Sequence, residues 1–228
     1  MKKIGFIVLG AIIVLLLWYF YPYSTPMPVD PTQEIKSTEP KPKLPVSEAK
    51  TSSSSSENVI VIELKDGPVV IETFPDVAPK HVERIEKLAK AGKYDGVAFH
   101  RVIEGFMAQT GDVEFGNVKD FSSFRAGTGG SDFPDLKEEF NDKKHVRGTC
   151  SMARSSSPNS ANSQFFICFE PAPFLDKQYT VWGQVIEGME HVDKIKLGSS
   201  RDNGSVTDPD HMIKVTVGRP TEDKKDSE

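Results

Sequence analysis

Cysteine is nearly absent from the 228 residues: Cys150 and Cys168 are the only two, which excludes a disulfide-built scaffold. Each lies in an apolar, strand-like run and reads as a buried free thiol. A single bridge stays open if the two strands adjoin in an oxidising compartment. A basic surplus is also missing. The chain carries 28 Lys+Arg against 33 Asp+Glu, and residues 58–219 hold 20 against 24, so no nucleic-acid partner is implied. His81, His100, His145, His191 and His211 show no metal-ligand spacing. Ser151 has no G-x-S-x-G elbow around it. Gly127-Thr128-Gly129-Gly130 lacks both the Gly-Lys-Ser/Thr sequel and the strand–loop–helix setting of a phosphate loop. These patterns predict no metal site and call for no cofactor.

One long apolar run is present. Lys2 and Lys3 precede Ile4–Phe20, which Tyr21 and Tyr23 extend to roughly 20 residues, enough at about 1.5 Å each to span a bilayer core. Trp18 and the tyrosines mark its far end, where amphipathic rings favour the interface. The segment ends in bulky aromatics with no small-residue cleavage site, so residues 1–23 read as an uncleaved signal anchor rather than a cleaved signal peptide. The N-terminal lysines orient it with the rest of the chain outside the cytoplasm. Residues 24–57, with six prolines from Pro26 to Pro45 and the run Ser52–Ser56, read as a disordered tether. Residues 220–228 read as a charged disordered tail.

Between them lies one domain, 58–219. It opens with a hairpin, Val59–Leu64 and Val69–Phe74 about an Asp66-Gly67 turn. A helix follows from Pro79 to Gly92, with Val82, Ile85, Leu88 and Ala89 as its apolar stripe. Further strands are predicted around 146–152, 164–169 and 179–186, a second helix near 189–196, and a last strand with Ile213, Val215 and Val217 alternating. Many short strands with two helices indicate a closed antiparallel sheet plugged at its ends.

The stretch Phe99-His100-Arg101-Val102-Ile103-Glu104-Gly105-Phe106-Met107-Ala108-Gln109-Thr110-Gly111-Asp112 carries the chemistry. It reads as two short extended segments joined at Glu104-Gly105. If Phe99–Ile103 is a strand, Arg101 shares a face with Phe99 and Ile103. A guanidinium there needs a groove where its donors find partners. With Phe106, Met107 and Gln109 it describes a half-apolar pocket with a few aimed polar groups. Composition alone favours an Arg paired with a surface carboxylate beside ordinary core residues.

The stretch resembles the signature of the cyclophilins, the cyclophilin-type peptidyl-prolyl isomerases. Gly127–Gly130, Glu139-Phe140, Gly148–Ala153, Ser163–Ile167, Phe174-Leu175-Asp176 and Val181–Val185 continue the likeness in order, from about Asn58 to Gly218. The resemblance implies a mainly β fold, an eight-stranded antiparallel barrel capped by two helices. It implies Arg101 and Gln109 as catalytic residues, the first as donor to the prolyl nitrogen and the second holding the substrate backbone. Phe106, Met107, Phe166 and Leu175 would form the proline socket, and the main chain beside Ala153 would take the residue before proline. Phe174 stands where the common eukaryotic pattern has Trp, and Tyr179 where it has His. Both departures resemble bacterial members.

An isomerase of X-Pro bonds needs no nucleophile. The barrier is amide resonance, about 18–20 kcal/mol, and a cation aimed at the twisted nitrogen binds the transition state best. The expectation is therefore a monomeric prolyl isomerase acting on unfolded or extended polypeptides. It would be held by one span in a cell inner membrane, with its domain on the periplasmic side. The rival is a proline-binding chaperone or assembly module whose turnover is incidental; a small-molecule-binding barrel is more distant. A C-terminal reporter should be active only outside the cytoplasm and remain with membranes after a high-salt wash. A soluble, shortened product would sink the anchor.

Overall fold

Two runs of β-branched residues start the fold, because such side chains pack well on a pleated surface. β1 (Val59–Leu64) pairs antiparallel with β2 (Gly67–Thr73), setting Ile60 opposite Ile71 and Ile62 opposite Val69 on the core face. Val59, Val61 and Val70 cluster on the other face. The computed structural model describes residues 58–219; the expected anchor at 1–23, tether at 24–57 and tail at 220–228 lie outside the described residues. Among the described residues no helix is long and apolar enough to cross a membrane. The hairpin turn falls on Lys65 and Asp66, one residue earlier than expected, with Leu64 opposite Gly67. Gly67 alone in that turn has a positive φ, 139°, and a Cβ there would collide with the His191 ring.

α1 (Pro79–Lys90) has proline in its first turn and Gly92 at φ 65° just past its end. Val82, Ile85, Leu88 and Ala89 are buried as its stripe predicts. Its free N-terminal N–H groups are capped from far along the chain. The Glu139 carboxylate accepts from Lys80 and His81 N–H at 3.1 and 3.0 Å and meets His81 Nδ1 at 2.7 Å.

The remaining strands are β3 (Arg101–Ile103), β4 (Met107–Thr110), β5 (Thr149–Met152), β6 (Phe165–Cys168), β7 (Val181–Glu187) and β8 (Lys214–Val217). They form one antiparallel sheet in the order β3-β4-β6-β5-β7-β2-β1-β8. The eight strands agree with expectation; the complete closure does not. The sheet curls, but β3 and β8 share no ladder. β3 is three residues long, and the segment beside it holds Asn203 and Asp208 in the left-handed region, so it cannot run as a regular strand. The gap is stitched by single bonds: Gly96 N–H to Met212 O (2.7 Å), Phe99 N–H to Asp210 O (2.8 Å) and Val102 N–H to Gly204 O (2.8 Å). The second helix, α2 (Met189–Val192), is also shorter than predicted, four residues in place of 189–196. In β8 only Val215 is fully buried, while Ile213 lies outside the strand and is half exposed.

The core is built about Phe165, whose ring meets Tyr94 and Trp182 edge-on at 5.7 and 5.3 Å. All three are essentially inaccessible to solvent. Cys150 is opposite Ile167 and faces this core; Cys168, the next residue of that strand, faces the other way. Both are free, buried thiols. Their strands adjoin, but opposite sides of the sheet forbid a bridge without backbone movement.

Phe165→Ala removes the central ring and leaves a cavity, so it should cost about 3–5 kcal/mol. Urea unfolding of the protein measures this. A loss under about 1 kcal/mol would show that the site collapses around the gap.

Candidate active site

Strand register assembles the site. Arg101 lies opposite Gln109 and Ile103 opposite Met107 across β3 and β4. Met107 is opposite Cys168 and Gln109 opposite Phe166 across β4 and β6, and Ser151 of β5 is opposite Phe166. Because side chains alternate, these residues share the outer face, while Val102, Ala108, Phe165 and Ile167 face the core. Phe99 does not belong to the outer set. It precedes β3 and is fully buried in the core, so the shared face of Arg101 begins at Arg101 itself.

The half-buried Arg101 guanidinium is held on three sides. Nε donates to Asn203 O at 2.9 Å, Nη2 to Asn203 Oδ1 at 2.9 Å, and Nη1 to Gln109 Oε1 at 3.3 Å. Burial lowers its pKa below the usual arginine value, the penalty for taking a cation out of water. Asn203 supplies both contacts from a left-handed backbone, φ 53°, a conformation asparagine tolerates better than most residues. Gln109 is oriented in turn: its Nε2 donates to Gln164 Oε1 at 3.0 Å, and Gln164 Nε2 donates to Gly127 O and Gly129 O at 3.0 and 2.8 Å. The buried Asp112 carboxylate fixes that glycine loop, accepting from Gly127 and Gly129 N–H at 2.7 and 3.0 Å.

Beside the guanidinium lies a cavity of about 440 Å³. All nine expected site residues line it: Arg101, Phe106, Met107, Gln109, Ala153, Phe166, Phe174, Leu175 and Tyr179. Met107, Phe166 and Leu175 are buried at its floor, packed with Cys168 and Ala172. Phe174 stands at the rim, 63% exposed, with its ring 5.6 Å from Phe106. Tyr179 meets Phe166 edge-on at 5.9 Å. Arg154 and Gln178, which sequence reasoning passed over, complete the lining. Gln109, Ala153 and Arg154 also border a second cavity of about 390 Å³, reaching Gly127–Ser131, Asp135 and Asn162.

Phe166 is backed by the buried His145 ring, centroids 6.2 Å apart and nearly parallel. His145 Nδ1 meets Asp176 Oδ1 at 3.1 Å and Nε2 meets Ser151 Oγ at 2.9 Å. This Ser–His–Asp chain is no nucleophilic triad, since Ser151 is wholly inaccessible and also donates to Thr180 O. It is a brace. The His145 backbone N–H, above all, holds the Asp176 carboxyl down to about 2.

No local pattern marks Asn203 as a site residue, since its contact with Arg101 spans 102 positions. Gln164 sits inside the recognisable run Ser163–Ile167, so its presence was legible though its role was not.

The family model for cyclophilin type peptidyl-prolyl cis-trans isomerase/CLD matches residues 59–217. A Brucella abortus protein named "Probable peptidyl-prolyl cis-trans isomerase" is 58% identical over 171 residues, covering 75% of this chain and 87% of that one. A peptidyl-prolyl cis-trans isomerase of Arabidopsis thaliana is 36% identical over 156 residues, 68% of each chain. Among solved structures, a Cryptosporidium parvum cyclophilin crystallised in the presence of the dipeptide Ala-Pro superposes with a TM-score of 0.61. It shares 26% identity and covers 71% of this chain and 99% of that one. A Hirschia baltica cyclophilin gives 0.59 at 26% identity, covering 71% and 74%. The chain belongs to the cyclophilin-type peptidyl-prolyl cis-trans isomerases. It is an isomerase of proline peptide bonds.

His81, His100 and His145 are buried, and burial is the largest influence on each, lowering its pKa below the ordinary 6.5. The unfolded chain then binds protons that the folded one refuses, so stability is full above pH 6.5 and falls as pH drops below it. Asp176 adds a second window: its contribution is present above 3.8 and is lost as pH falls through about 2. Urea midpoints should decline from about pH 7.5 to about pH 5.5, and His145→Gln should flatten part of that decline. A level profile across that range would refute the assignment.

Proposed function

We propose that this chain speeds cis–trans exchange of X-Pro bonds in unfolded or extended polypeptides outside the cytoplasm, tethered to a membrane by residues 1–23. The observation that carries the chemistry is a guanidinium fixed on the wall of a cavity with an apolar floor, with no carboxylate within ion-pair distance among the described residues. Uncatalysed exchange takes tens of seconds or more, because twisting the amide breaks its resonance. As the bond twists, the prolyl nitrogen regains a lone pair. Arg101 is placed to donate to it, a contact that neither planar ground state offers, and such differential binding lowers the barrier. Met107, Phe166 and Leu175 take the ring from below, with Phe106, Phe174 and Tyr179 as walls. Gln109 holds the substrate backbone, and the main chain at Ala153 receives the residue before proline. The Ala-Pro dipeptide named with the Cryptosporidium parvum cyclophilin supports this substrate class. No covalent intermediate forms, and no proton changes owner.

Arg101→Ala should lower kcat/KM on an X-Pro peptide by about 10²–10³, the usual cost of one preorganised donor, while the protein stays folded. Asn203→Ala, which leaves the guanidinium but loosens its seat, should lose about tenfold, expressed in kcat. Negligible turnover in the wild type with peptide binding retained would make the groove a grip and the protein a binding module.

A further inference from the structure

The lining of the proline cavity holds two arginines and no carboxylate, in a domain whose overall charge is slightly negative. Arg101 is committed to Asn203 and Gln109. Arg154 is different. Its guanidinium carbon lies over the Tyr179 ring, 4.4 Å from the centroid, at the border of both cavities. Nε and Nη2 donate to Gln178 O at 3.2 and 2.9 Å, and Nη1 donates to Ser155 O at 2.8 Å and more weakly to Ser156 O at 3.4 Å. Those carbonyls fix its position and leave its charge uncompensated, and no carboxylate lies within 4 Å among the described residues. The nearby acids are engaged: Asp176 by His145 and Lys144, and Asp142 by Lys177. Asp135 is at the edge of the second cavity, where it accepts from Asn162 Nδ2 at 3.0 Å.

We propose that Arg154 is a specificity-determining residue that selects substrates with an acidic residue immediately before proline. The inference rests on the isomerase reading above, in which the main chain at Ala153 receives that residue. A side chain leaving the substrate there emerges beside the next residue of the enzyme, Arg154. A guanidinium held by carbonyls and a ring needs little reordering to meet a carboxylate, so less conformational entropy opposes the pair than for a free surface arginine. No carboxylate in the lining competes for the attraction, whereas a lysine before proline meets two fixed cations.

The test uses the full-length protein in detergent and three peptides that differ only in having Glu, Gln or Lys before proline. Wild-type kcat/KM should favour Glu over Gln by about three- to fivefold, carried in KM, with Lys the poorest. Salt should narrow the spread, since exposed pairs are screened. Arg154→Gln should bring the Glu and Gln peptides level. Arg154→Lys, which keeps the charge and loses the fork of carbonyl contacts, should retain the order and so separate charge from loop structure. Equal Glu and Gln values in the wild type, or a preference that survives Arg154→Gln, would overturn the proposal. No turnover of any peptide by the wild type would instead remove the isomerase reading, and this inference with it.

Discussion

A cation can be kept on the wall of an apolar cavity only if its donors are satisfied without its charge being cancelled. Everything around Arg101 serves that condition. A carboxylate partner would hold the guanidinium more tightly and neutralise it. Two contacts from Asn203 and one from Gln109 hold it with neutral dipoles, which fix direction and leave the charge for the substrate. The same solution recurs at Arg154, where carbonyls and an aromatic face do the holding.

The fixation is relayed inward. Gln109 is aimed by Gln164, Gln164 by the carbonyls of Gly127 and Gly129, and that loop by the buried Asp112. The one carboxylate in this relay, Asp112, is four links away from Arg101, where it can rigidify without competing for the cation. The apolar half of the site is braced separately, through His145 and Asp176 behind Phe166. Polar and apolar halves meet at one register pair, Gln109 opposite Phe166.

Much of this was legible beforehand, and for a physical reason. Local patterns report local structure: the stripe of α1 lies where periodicity puts it, and the β-branched hairpin and the paired segments about Gly105 lie within one or two residues of where turn chemistry does. The nine site residues were reachable because most fall in three contiguous runs that resemble a known family. Contacts across the chain were not. Asn203 against Arg101, Glu139 on the start of α1 and Arg154 on Tyr179 depend on tertiary placement, which spacing does not encode. The expected closed barrel failed for a related reason. Strand counting does not reveal that one neighbour of the short β3 would be an irregular segment with two residues in the left-handed region.

That irregular segment has a further consequence. The residues that stitch the sheet's two edges together include the residue that seats the guanidinium: Asn203 grips Arg101, and Gly204 receives the Val102 N–H. Isolated bridges and single bonds rather than a continuous ladder hold this join, so its opening is less cooperative than that of the paired strands. Breathing at the join would release the side chain while the buried aromatic centre stayed intact. Activity therefore reports on this seam of the fold, and heat should silence the enzyme before it melts the protein.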